Sequence, residues 1–367
     1  VEEYIKTHPG CKIGLLKVHL YRPFKAQRIL NALPVSVKRV CVMDKVRDIT
    51  GVREPLYLDV CAALQNHRNC EIIGGRYGIG SKDFAPQHVD AVMKNLVAPI
   101  CKDGFTVGIP NPETELPVGP PKDNLPSSTK QCLFWGLGAD GTVGANKQAI
   151  KLIVSNTKLY GQAYFAYDAH KSGGLTTSHL RFGESPIDAP YYVQQADYIA
   201  CHNPAYLKKF DMVHSLKQNG TFVVNIAADT NFEEAFPNSL KKKLAEKNAK
   251  VYYVDATALS YKLGIPGRIN MIMQTVFFGL AQVIPTEKCI PLLKQSIAKQ
   301  YARKGKEVIS KNQAAVDEAL QGIHELKYDR SKWLAVTPEH KEPKDGFDKI
   351  IQASLENRGD EISVDEI

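Results

Sequence analysis

The sequence contains no C-x-x-C. Its eight cysteines are Cys11, Cys41, Cys61, Cys70, Cys101, Cys132, Cys201 and Cys289, and the closest pair, Cys61 and Cys70, is nine residues apart. Iron–sulfur and structural zinc sites draw close-spaced thiolates from a single turn, so this spacing argues against both. The count is even, but a chain of 367 residues without a disulfide-scaffold rhythm reads as one holding free thiols in a reducing compartment. Also missing are an apolar run of membrane-span length and a secretory leader, so neither a membrane nor export is expected. The motif G-x-x-x-x-G-K-[ST] does not occur, which removes a P-loop nucleotide site. Nor is there an opening methionine: the first residue is Val1, as expected of a piece of a longer polypeptide.

What is present is ordinary for globular protein, 44% hydrophobic and 23% charged, and the length predicts two domains with a tail. The formal charge of +8 comes from scattered lysines. The one dense run, "KKKLAEKNAK", reads as a solvated helix face. A phosphorylated small molecule accounts for so mild an excess as well as nucleic acid does, and no nucleic-acid partner is expected.

The first hundred residues alternate strand-like and helix-like runs. "KIGLLKVHLY", "VKRVCVMD", "CEIIGGRYG" and "FTVGI" read as strands, with "PFKAQRILNAL", "EPLYLDVCAALQN" and "APQHVDAVMKNLV" as helices between them. That alternation predicts an open α/β sheet over residues 1–108. Residues 109–129 carry six prolines and predict an extended linker or strap. A second α/β pattern follows over 130–330, with strands at "QCLFWGLG", "GQAYFAYDA", "ADYIACH", "TFVVNI" and "KVYYVDA". From 331 to 367 the chain turns charged and loses its periodicity, which predicts a linker or docking tail.

Gly136, Gly138 and Gly141 form G-x-G-x-x-G between a strand and a helix, with Gly144 continuing the series. Glycines let the backbone approach a ligand, and the helix N-terminus offers free N–H groups, so the pattern points to a bound phosphate, with Thr142 supplying a hydroxyl. A tight turn that packs the helix on the sheet has the same pattern. A dinucleotide would require an acid at the end of the next strand. Asp168 lies 27 residues beyond Gly141, later than the usual spacing of about 20. Lys171 beside it suits a phosphate, although a loop lysine is also commonly just solvated. "ADG" matches part of the thiamine diphosphate motif, but no Asn-Asn pair follows at the required distance. His179 and Arg181 read as groups bonded within the domain. Arg268 and Asn270 open a helix after a glycine-proline turn and can face the same cleft. Asn312 reads as a helix N-cap.

"GLGADGTVGANKQAI", "YFAYDAHKSGGLTTSHLRFG", "ADYIACHNPAYL" and "GIPGRINMIMQTVFF" together resemble the gamma domain of pyruvate:ferredoxin (flavodoxin) oxidoreductases. "HLYRPF", "VKRVCVMDKVRD" and "EPLYLDVCAAL" resemble the domain before it, akin to the C-terminal domain of transketolase. The resemblance covers nearly the whole chain. It implies two consecutive open-sheet α/β domains and a C-terminal linker towards a ferredoxin-like domain, all from the middle of a longer enzyme. After "FTVGI" the family commonly continues with an Asp-Asp-Val-Thr run where this chain has its proline-rich stretch.

The resemblance further implies the oxidation of pyruvate with coenzyme A to acetyl-coenzyme A and carbon dioxide. Thiamine diphosphate and [4Fe-4S] clusters would lie outside this chain, and electrons would pass to ferredoxin or flavodoxin. It implies a homodimer, in the cytoplasm or in a hydrogenosome-like organelle of an anaerobic eukaryote, and a fragment inactive by itself. Coenzyme A would dock on Gly138, Ala139, Asp140, Gly141, Thr142, Val143, Lys171, Asn270 and Asn312. No residue is assigned as a general acid, base, nucleophile or metal ligand. Two other classes stay open: a nicotinamide-dependent dehydrogenase using Asp168, and an architectural module that binds nothing.

Overall fold

A computed structural model describes residues 1–138, 140–168, 173–339 and 345–363. The chain divides into two compact units: residues 1–124 with the C-terminal stretch from 343 onward, and residues 125–342.

The first unit runs α1 (Glu2–Thr7), α2 (Ala26–Ala32), β1 (Arg39–Asp44), α3 (Pro55–Leu64), β2 (Glu71–Tyr77), α4 (Pro86–Val97) and β3 (Phe105–Val107). Its three strands are parallel in the order β1-β2-β3. Val42 packs on Ile29, Val60 and Leu64 to one side, and Ile73, Val92, Phe105 and Val107 cluster separately. Asp44, at the end of β1, accepts the amides of Leu56 and Tyr57 at 3.2 and 3.1 Å. It thereby satisfies first-turn donors of α3, which begins at Pro55 where no donor is missed.

The expected strand "KIGLLKVHLY" is absent. Residues 12–19 take no regular structure, and Leu15, Leu16 and Leu20 stay exposed. An extended run becomes a strand only beside a neighbour that accepts its backbone bonds, and no described strand pairs with it. The proline-rich stretch also differs from a spacer. Thr106 donates its amide to Thr114 O and accepts that of Leu116, both at 2.9 Å, so this part lies along β3. Thr114 and Leu116 fall between the prolines and keep the donors that prolines lack. The units divide after Asn124.

The second unit contains β4 (Lys130–Leu137), α5 (Thr142–Asn156), β5 (Tyr160–Tyr167), β6 (Leu175–Gly183), β7 (Ala196–Cys201), β8 (Leu216–Asn225), α6 (Phe232–Ala235), α7 (Asn238–Glu246), β9 (Lys250–Val254), α8 (Ala256–Lys262), α9 (Asn270–Ala281), α10 (Thr286–Gln300), α11 (Lys306–Ala319), β10 (His324–Glu325) and α12 (Arg330–Leu334). The chain then returns to the first unit as α13 (Gly346–Leu355). The seven-stranded sheet has the order β10-β9-β8-β7-β4-β6-β5. Strands β9, β8, β7 and β4 are parallel, while β6 runs antiparallel between β4 and β5.

Residues along β4 alternate between two cores. Phe134 joins Leu180, Tyr198 and Phe277 on one face, and Leu133 and Trp135 join Ile199, Phe222 and Phe236 on the other. A strand covered on both sides has to be apolar throughout, which is why "CLFW" shows no alternation of polarity. Lys241, expected on a solvated face, is only 5% exposed and donates to Glu233 O.

The expected tail also divides. Trp333 in α12 is 1% exposed, stacks on Tyr328 with centroids 4.2 Å apart, and donates Nε1–H to Glu233 at 3.1 Å. One aromatic side chain in a closed pocket anchors a segment whose composition is otherwise that of a linker. Trp333→Ala is expected to destabilise the second unit by about 3–5 kcal/mol in urea unfolding. A change below about 1 kcal/mol would return this segment to the status of a surface tail.

Candidate functional site

The carboxyl ends of β4 and β7 lie side by side, and the chain order reverses there. From β4 it crosses through α5 to β5 on one flank, and from β7 it proceeds to β8 on the other. Open α/β sheets bind ligands in the crevice such a reversal leaves.

The turn after β4 forms one wall. Gly141 has φ +89°, a conformation glycine adopts without strain, and directly precedes α5. A β-carbon on Gly136 would lie 2.7 Å from Thr142 Oγ1, so a glycine is what lets the helix start this close to the strand. The expectation that these glycines pack the helix on the sheet thus applies at Gly136.

The donors of the turn are partly committed. Asp140 accepts the amide of Leu137 on Oδ2 at 2.9 Å and that of Thr142 on Oδ1 at 2.7 Å. Gly138 donates its amide to Gly174 O at 2.7 Å. Asp140 therefore already supplies the negative charge that a helix N-terminus attracts. The first-turn amides of Val143 and Gly144 have no acceptor among the described residues.

Thr142 is 1% exposed, and its hydroxyl bonds His202 Nδ1 at 2.8 Å rather than facing the crevice. His202 follows β7 directly. Its amide donates to Trp135 O at 2.9 Å and its carbonyl accepts Asn225 Nδ2–H at 3.0 Å, so the ring is fixed between neighbouring strands. Burial pushes its pKa down, partly opposed by the Asp140 carboxylate, and the imidazole is held neutral. Cys201 beside it has its thiol raised to about 12 by burial, which leaves it no thiolate near neutral pH.

Asn270 is the first residue of α9, and its Nδ2 lies 3.2 Å from where a β-carbon on Gly141 would stand. These two expected site residues are brought together, with exposed Arg268 two positions before. Asn312 is not an N-cap. Gly305 precedes α11, and Asn312 sits mid-helix, 1% exposed, donating Nδ2–H to Val308 O at 2.8 Å. A left-handed glycine starts the helix seven residues early, and the side chain bonds back along it instead. Ala139 and Lys171 lie outside the described residues. Asp168 directly follows β5, but antiparallel β6 separates β5 from β4. Two strand spacings, roughly 10 Å, thus set it away from the turn, too far for the usual ribose contact.

His179 and Arg181 are bonded within the unit. Val193 N–H donates to His179 Nδ1 at 3.1 Å, and Arg181 donates to Gln131, Gln162, Ala189 O and Tyr192 O. Burial lowers the His179 pKa to about 3. His202 was not expected from the sequence. Its signal was its place just past a strand end, but its role depends on β7 lying beside β4, which no spacing states.

The geometry defines an open-sheet α/β unit with a strand-order reversal between β4 and β7. A family model described as pyruvate ferredoxin/flavodoxin oxidoreductase matches residues 131–322, and one described as pyruvate:ferredoxin oxidoreductase core domain II matches residues 4–89. The chain belongs to the pyruvate ferredoxin/flavodoxin oxidoreductase family. It is 43% identical to the pyruvate:ferredoxin oxidoreductase of Moorella thermoacetica over 99% of its own length and 32% of that protein. It is 42% identical to the mitochondrial NADP(+) pyruvate dehydrogenase of Euglena gracilis over 97% of its length and 20% of that protein. The chain thus spans a third or less of these relatives. A solved pyruvate oxidoreductase subunit from Thermotoga maritima matches 55% of this chain and all of that one, at 19% identity and a TM-score of 0.44. No helix among the described residues is long and apolar enough to cross a membrane.

The buried imidazoles carry a pH dependence. Unfolded, each titrates near 6.5; folded, each holds its proton less tightly, so the unfolded chain binds more protons as pH falls. Stability is therefore complete above the unfolded value and drains away below it, by about 1.4 kcal/mol per pH unit for each imidazole. Urea unfolding between pH 7.5 and 5 should show this slope, and His179→Gln should remove one imidazole's share of it. An unchanged slope in that variant would mean the ring is not held neutral.

Proposed function

We propose that the second unit binds coenzyme A as the acyl acceptor of a pyruvate:ferredoxin or pyruvate:flavodoxin oxidoreductase. In that reaction pyruvate, coenzyme A and an oxidised electron acceptor give acetyl-coenzyme A, carbon dioxide and the reduced acceptor. Thiamine diphosphate, the [4Fe-4S] clusters, the pyruvate pocket and the docking of ferredoxin or flavodoxin are assigned to other parts of the enzyme. The observation that carries the reading is the close approach of Asn270 to the Gly141 turn at the strand-order reversal, in a chain that belongs to this family.

The residues present fit such a ligand. Coenzyme A is an anion with amides and an adenine along its length. Val143 and Gly144 offer amides to a phosphate oxygen, Asn270 offers a donor and an acceptor, and Arg268 and Lys171 offer positive charge. Asp140 and Thr142 are assigned a different task from direct contact: they fix the turn, Asp140 from within and Thr142 through His202. Asn312 is left as a residue that shapes α11. When bound, coenzyme A supplies the thiol that accepts the acetyl group, and this unit orients it.

The nicotinamide reading loses its support with Asp168 set apart from the turn by β6. Titration calorimetry of the chain is expected to show one saturable site for coenzyme A and none for NAD. Lys171→Ala should weaken coenzyme A by about one to two orders of magnitude, and Asn270→Ala by up to about tenfold, with melting temperature nearly unchanged. Saturable NAD binding without coenzyme A binding would reverse the assignment.

A further inference from the structure

Three buried polar atoms near the crevice have no hydrogen-bond partner among the described residues: Asn146 Nδ2, Gln274 Oε1 and His202 Nε2. Their residues are 3, 3 and 5% exposed. Nothing outside the unit reaches atoms so enclosed, so whatever satisfies them sits within it. Buried polar groups are ordinarily paired, and one left unpaired costs its full desolvation.

The helices bring the three together. Asn146 lies one turn along α5 from Thr142, and Gln274 one turn along α9 from Asn270, so each pair shares a helix face. Asn270 approaches the Gly141 turn. One turn further on, Gln274 donates Nε2–H to Ala145 O at 3.0 Å, which sets its amide against α5 beside Asn146. His202 comes from the sheet side, with Nδ1 bonded to the Thr142 hydroxyl at 2.8 Å. Phe134 lies edge-on to the His202 ring and to Phe277, with centroids 6.2 and 5.2 Å away, so the surroundings on that side are apolar.

We propose that one water molecule is buried between α5, α9 and the end of β7, bonded to Asn146, Gln274 and His202, and that it positions the turn that receives coenzyme A. A water suits this set of atoms. It accepts from the Asn146 amide, donates to Gln274 Oε1, and either donates to or accepts from His202 Nε2 according to the tautomer of the ring. That makes three bonds, the usual number for a buried water. A cation has no use for the Asn146 N–H, and an apolar group none for any of the three. The water ties three elements together one turn below Val143, Gly144 and Asn270. Those groups are the ones assigned to the ligand, so the positioning role rests on that reading. Asn146 and Gln274 are positioning residues, acting through the water and not on coenzyme A itself.

A crystal structure of the wild-type chain with ordered solvent should show one water within hydrogen-bond distance of all three atoms. Titration calorimetry with coenzyme A separates a water-mediated role from a packing one. Asn146→Leu keeps the volume but fills the space with methyl groups, so it should expel the water and weaken coenzyme A about tenfold. Asn146→Ala removes the amide but leaves room for a second water, so it should bind within about twofold of wild type. A packing role predicts the reverse order, because alanine leaves the larger gap. The density is read on the wild type and does not depend on either variant folding. A dry site, an ion in place of the water, a direct Asn146–Gln274 bond, or a leucine variant that binds as tightly as the alanine one overturns the proposal. A wild type that binds no coenzyme A overturns the ligand reading instead, and the density still decides the water.

Discussion

The Asp140 carboxylate, held between the amides of Leu137 and Thr142, is the constraint on which the second unit's crevice depends. It closes the turn from inside, meets part of the donor excess at the start of α5, and sets where the next free amides stand. Charge-assisted bonds of this kind are among the stronger ones, so the turn keeps its shape without a ligand. The same carboxylate narrows what can bind. An anion cannot take the amides it occupies and must engage Val143, Gly144 and the Asn270 amide, with cations near enough to offset the local negative charge.

His202 supports this turn from beneath. Thr142 is the first residue of α5, and its hydroxyl ties the helix start to a ring fixed at the end of β7. The start of α5 is thus tied by a side-chain bond to the end of β7, beside the ladder that joins β7 to β4. Of the two nitrogens, Nδ1 has its partner in Thr142, and Nε2 is buried without one among the described residues. An acceptor lone pair tolerates that better than an N–H would. A turn fixed this way loses little further freedom when a ligand arrives.

Most of the architecture was legible because its signals are local. The alternation of apolar runs, the glycines before α5 and the resemblance of long motifs all survive without knowledge of strand order. What was not legible is what strand order creates. Asp168 was a reasonable ribose partner until β6 was found between β4 and β5. Thr142 was a reasonable ligand contact until β7 brought His202 to it. Asn312 shows a local error, since a helix beginning at Lys306 turned a supposed cap into a mid-helix residue. Trp333 shows the converse, one buried side chain holding down a segment whose composition reads as linker. "KIGLLKVHLY" has a strand's composition without the neighbour that would make it one.

The central claim is that coenzyme A occupies the crevice between the β4 turn and the start of α9. Hydrogen–deuterium exchange of the chain with and without coenzyme A reads this directly, because the free first-turn amides are themselves the reporters. Peptides covering 138–144 and 268–272 should slow by about tenfold or more at saturating ligand, while β5 and the first unit remain unchanged. Saturation with no slowing of the 138–144 peptide, or with slowing confined to the first unit, would contradict the account.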